Sequence, residues 1–79
     1  MKEREVVVRL SHDEALVLFE WLSRTDERTS DFADVIEDQA EQRALWNLTA
    51  LLERELFDPV QAEYRTLVDE ARNRLRDEQ

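Results

Sequence analysis

Glycine and cysteine are both absent from this 79-residue chain, and proline and histidine each occur once. Without cysteine there is no disulfide framework, no thiol nucleophile and no cysteine-ligated zinc. Without glycine there are no phosphate-cradling or dinucleotide-binding loops, whose tight turns and close backbone approaches depend on it. The single histidine, His12, has Asp13, Ala15 and Leu16 as its helical neighbours. No ligand or acid–base partner converges on it, so it reads as an exposed residue at a helix start.

Long apolar runs are also missing. The longest, Ala15 to Phe19, has five residues, against the roughly 20 needed to cross a bilayer. The opening Met1-Lys2-Glu3-Arg4-Glu5 has none of the apolar, small-residue character of a signal peptide, so a cytoplasmic protein without membrane association is expected. Acidic pairs do occur, as Glu37-Asp38-Glu41, Glu53 with Glu55, and Asp69-Glu70. None lies in an apolar surround that would raise a carboxyl pKa for acid catalysis, and none has the spacing of a calcium loop. The expectation is a protein that is not an enzyme and uses no cofactor and no metal.

What the chain does have is negative charge. Twenty Asp and Glu against eleven Lys and Arg give a net −9. The distribution is uneven: Asp26, Glu27, Asp31, Asp34, Glu37, Asp38 and Glu41 are opposed by Arg28 alone, while Arg65, Arg72, Arg74 and Arg76 balance the four acids of 65–79. One end of the molecule is thus expected to attract a basic partner at low ionic strength. The same acids would also keep a small protein soluble.

The pattern of apolar residues predicts a mainly α protein with one N-terminal β-strand, in the order β-α-α-α, as a single domain over 1–79. Val6, Val8 and Leu10 alternate with Glu5, Val7 and Arg9, which predicts a strand at about 4–10. Ser11 with Glu14 three residues later predicts a capping box and a helix over about 12–24, with Ala15, Leu18, Phe19 and Leu22 as its core stripe. Glu20 and Leu16 are assigned to the outer surface of that helix. Residues 25–37 read as an acidic irregular segment with a short helical turn near Phe32, Val35 and Ile36. A second helix over about 38–57 carries Leu45, Leu48, Leu52 and Leu56 on one stripe, with Trp46, Ala50, Glu53 and Phe57 on another face. Asp58-Pro59 starts a third helix over about 59–76, with Val60, Tyr64, Leu67, Val68, Ala71 and Leu75 on one side.

A solitary strand leaves its backbone groups unpaired. The strand Val6-Val7-Val8-Arg9 is therefore expected to pair antiparallel with its copy in a homodimer, or else to pair with 29–36 of its own chain or fray. The second apolar face, with Trp46 and Phe57, agrees with the dimer, and a core this small gains from added burial.

The opening, a strand followed by Arg9-Leu10-Ser11-His12-Asp13-Glu14 and a helix, resembles the start of ribbon-helix-helix repressors, which read DNA with paired strands. That resemblance implies Glu5, Val7 and Arg9 as base-reading residues. A half-acidic or apolar set, a third helix and a charge of −9 all argue against nucleic acid. Across nearly the whole chain, Glu14 to Leu22, Glu41 to Leu48, Leu52-Glu53 and Tyr64 to Arg72 resemble a group of small acidic bacterial proteins, of actinobacterial type, without assigned function. That resemblance implies a bacterial cytoplasmic setting and transfers no catalytic residue.

The function these features point to is a homodimeric protein–protein interaction module with an acidic surface for a basic partner. Asp31, Asp34, Glu37, Asp38, Glu41, Trp46 and Phe57 are the candidate contact residues. An antitoxin or inhibitor occupying a nucleic-acid-binding surface is the alternative within that class.

Overall fold

Ser11 begins the first helix by reciprocal hydrogen bonding. Its amide donates to Glu14 Oε1 at 2.8 Å, and the Glu14 amide donates to Ser11 Oγ at 3.0 Å. The capping box thus forms where the spacing places it, and α1 runs His12–Thr29. The computed structural model describes residues 4–29, 32–56 and 63–77. Within them, α1 is followed by α2, Gln39–Leu56, and α3, Tyr64–Asp77.

Among the described residues there is no β-strand. Residues 4–10 are irregular and exposed, which corrects the expected strand and with it the strand-paired dimer and the ribbon-helix-helix reading. The reason is the cooperativity of sheets. Valine's β-preference is realised only on a pleated surface with neighbours, and no segment here supplies a second strand. The backbone groups of 4–10 are left open to solvent.

Helix α1 also runs five residues past the expected end at Arg24. Thr25 and Asp26 are still partly buried, and no glycine or proline interrupts the segment. Asp58-Pro59 and Val60, expected to begin the third helix, lie outside the described residues.

The turn that returns the chain is anchored by Phe32. Its carbonyl accepts from the amides of Val35 at 2.9 Å and Ile36 at 3.2 Å, the short helical turn the sequence suggests. Phe32 is fully buried and has a φ of 65°. In most chains a left-handed residue after a helix is glycine, and this chain has none. Burial of the ring against Leu22 and Leu52 holds the strained backbone in place. Helix α2 then starts at a second cap: Asp38 Oδ1 accepts from the Ala40 amide at 2.7 Å, and Glu41 Oε1 accepts from the Glu37 amide at 2.7 Å.

Helix α1 is the middle of the molecule. One cluster joins Leu22, Phe32 and Leu52 with Ala15, Leu18, Phe19, Leu45 and Leu48, between α1 and α2. The other joins Leu16 to Val68 and Ala71, between α1 and α3. At 100° per residue, the positions facing α2 and those facing α3 point about 165° apart around α1. Helices α2 and α3 therefore flank it on opposite sides, and among the described residues they make no close backbone approach to each other. Among the described residues, Leu56 packs against both clusters. A radius of gyration of 14.2 Å, against about 12 Å for a compact domain of this length, agrees with this open arrangement.

Leu16 and Glu20, expected on the outer surface, are 5% and 6% exposed. The apolar face of α3, with Val68 and Ala71 buried and Tyr64 and Leu67 beside them, covers them.

Phe32→Ala is expected to lower stability by about 3–5 kcal/mol in urea unfolding, by emptying a filled core site at a turn already strained. That is a large part of the roughly 4–12 kcal/mol typical for a chain of this size. A loss below about 1 kcal/mol would show that the ring does not fix the turn.

Candidate interaction surfaces

The acidic candidates gather where α1 turns into α2. Asp34, Glu37, Asp38 and Glu41 are all exposed, on the turn or in the first turn of α2. Asp38 and Glu41 are not idle charges. Each accepts a backbone amide hydrogen bond at the helix start, where a carboxylate also complements the positive end of the helix dipole. Their positions are thus fixed, while Asp34 and Glu37 keep their carboxylates in solvent. Trp46, five residues beyond Glu41, is 43% exposed. Asp31 and Phe57 lie outside the described residues.

Sequence reasoning missed the polar seam between α1 and α3. Glu20 is buried there, and its Oε1 accepts from Arg24 Nη1 at 2.8 Å and from Arg72 Nη2 at 3.1 Å. Arg65 Nη1 stands 3.8 Å from the other oxygen. At the start of α1, Asp13 receives both arms of the Arg74 guanidinium, Nε at 2.8 Å and Nη2 at 2.9 Å. Pairing early residues of α1 with late residues of α3, and Glu20 with Arg65, sets these two helices antiparallel. The signal was available: Leu16 was the one apolar exception on a supposedly polar face, and Asp13, Glu20 and Arg24 share that face at helical spacing.

Electrostatics follow the geometry. The hydrogen bonds from Arg74 hold the Asp13 carboxyl below its ordinary value of 3.8, and Asp13 in turn raises Arg74. Desolvation pushes the Tyr64 phenol above its ordinary 10.0, and the Glu20 charge adds to the shift. The lowered Asp13 contributes stability above its unfolded pKa, lost as pH falls through the folded one. The raised Tyr64 contributes below 10.0, and that contribution is lost as pH rises through its folded value.

The third surface is apolar. Val6, Val7 and Val8 are 87%, 80% and 72% exposed. With Leu10 and Ala15 they border a groove of about 640 Å³ whose other wall is Leu48, Leu51 and Leu52 of α2. Ala15 near the start of α1 meets residues in the second half of α2, so these two helices are antiparallel as well. His12 is exposed. Among the described residues, no three His, Cys, Asp or Glu side chains are grouped to hold a metal ion, and no helix is long and apolar enough to cross a membrane.

Arg72→Leu is expected to cost about 2–3 kcal/mol in urea unfolding, because it leaves the buried Glu20 carboxylate under-compensated. Adding Glu20→Leu should recover most of that loss, giving a coupling above about 1 kcal/mol in a double-mutant cycle. Additive losses would mean that the two side chains are independent. In a carbon-13 NMR titration, native Asp13 should titrate below 3.8 and return toward it in Arg74→Gln; an unmoved Asp13 would remove the fork as the cause. Comparison with protein-family models, curated proteins and solved structures finds no match to this chain.

Proposed function

We propose that the protein is a non-enzymatic protein–protein interaction module that pairs with a second copy and offers its acidic turn to a basic partner. The observation that carries the reading is the exposed group Asp34, Glu37, Asp38 and Glu41 on a turn held by Phe32 and two side-chain caps. Asp38 and Glu41, whose carboxylates are held by the helix-start amides, lose little entropy on binding. Charge of this density speeds encounter with a positive surface. The partner chemistry that fits is a cationic surface of the kind that binds nucleic acid, since spaced carboxylates can stand in for phosphates. Trp46, half-exposed on α2 five residues beyond Glu41, would supply the desolvated contact that charge alone does not. A bacterial cytoplasmic setting, implied by the resemblance to small acidic bacterial proteins, belongs to the same proposal.

Asp34→Asn with Glu37→Gln is the informative variant, because it removes two charges and leaves both side-chain caps of α2 intact. Immobilised native protein should capture a basic protein from bacterial lysate at low salt and release it at about 300 mM salt, where the Debye length falls below about 8 Å. The variant should capture at least about tenfold less. Capture that neither salt nor the variant diminishes would reject the acidic turn as the binding surface.

A further inference from the structure

Among the described residues, no side chain fills the groove beside the three exposed valines. Isolated apolar residues on a surface are ordinary, but a contiguous run joined to a groove marks an interaction site. We propose that a second copy of this chain docks there, side chain against side chain, in a two-fold contact that sets Arg9 of each copy against Glu55 of the other. This names the dimer surface and rests on the homodimeric part of the function proposed above.

Charge selects the second copy over other occupants. At net −9, most of the molecule repels its own copy. The groove is the exception: among the described residues its lining carries one cation, Arg9, and one anion, Glu55. A basic partner gains nothing from a neutral groove. A two-fold contact there satisfies Arg9 and Glu55 twice over, as an isologous interface requires.

Position agrees as well. Val6, Val7, Val8, Leu10 and Leu51 are the exposed apolar groups that such a contact would cover. Because α1 and α2 are antiparallel, the groove sits at the end of the helix pair away from the acidic turn. Roughly 15 Å of helix separate Glu41 from Leu51 at 1.5 Å per residue. Docking at the groove thus leaves both acidic turns outward, where they repel each other least and stay open to a partner.

The test is sedimentation equilibrium of the full chain, with circular dichroism to verify the fold of each variant. The native protein should reach twice its 9.5 kDa mass at about 100 μM, and its self-association should strengthen or hold as salt screens the net repulsion. Val6→Asp with Val8→Asp changes only exposed side chains and should weaken the dimer at least about 100-fold, and Leu51→Asp at least about tenfold. Arg9→Glu and Glu55→Arg should each weaken it, and the double reversal should restore it. A native chain that stays at 9.5 kDa up to about 1 mM would overturn both this proposal and the homodimer, handing the groove to a different protein. A native dimer that survives the Val6, Val8 and Leu51 variants would overturn the groove alone and leave the homodimer standing.

Discussion

Helix α1 has to bury two opposite sides at once, and the rest of the structure depends on how it does so. A helix between two neighbours cannot confine its apolar residues to one stripe. Here the side toward α2 is aliphatic and aromatic, built on Leu18, Phe19 and Leu22, whereas the side toward α3 is mixed, with Leu16 and the carboxylate of Glu20 both buried. Each flanking helix therefore contacts α1 through a different kind of chemistry. Among the described residues α2 and α3 make no close backbone approach, and Leu56 of α2 reaches the α1–α3 cluster.

The two seams have different physical character. Apolar contact between α1 and α2 is non-directional, and Phe32 closes its turn end from a left-handed backbone position that only ring burial makes tolerable. Contact between α1 and α3 is directional. Glu20, also held by Arg24 of its own helix, receives Arg72 of α3, and Asp13 receives the Arg74 fork, beside the small cluster of Leu16, Val68 and Ala71. A buried carboxylate adds little net stability over an apolar substitute. Its hydrogen bonds do fix where α3 sits along α1.

Charge is sorted across the surface in the same spirit. Several of the arginines lie over α1, where they answer buried or half-buried acids. Asp34, Glu37, Asp38 and Glu41 are exposed at the turn, where Asp38 and Glu41 accept helix amides. At the far end of the α1–α2 pair lies a nearly neutral apolar groove. A molecule of net −9 thus carries one patch whose described lining balances Arg9 with Glu55, well removed from the acidic turn.

Local features were legible in the sequence because local physics decides them. The Ser11–Glu14 cap, the leucine stripe of α2, the helical turn at Phe32 and the apolar face of α3 follow from spacing over a few residues. The acidic turn follows from composition in the same way. Tertiary structure alone decided the rest. Val6, Val7 and Val8 have strand character, but a strand exists only with a partner, and none is present among the described residues. Glu20 and Leu16 read as surface because a helix wheel shows periodicity without showing how many neighbours a helix has. That second neighbour, packed on the side that looked polar, turned an ordinary surface glutamate into the buried carboxylate on which the α1–α3 seam is built.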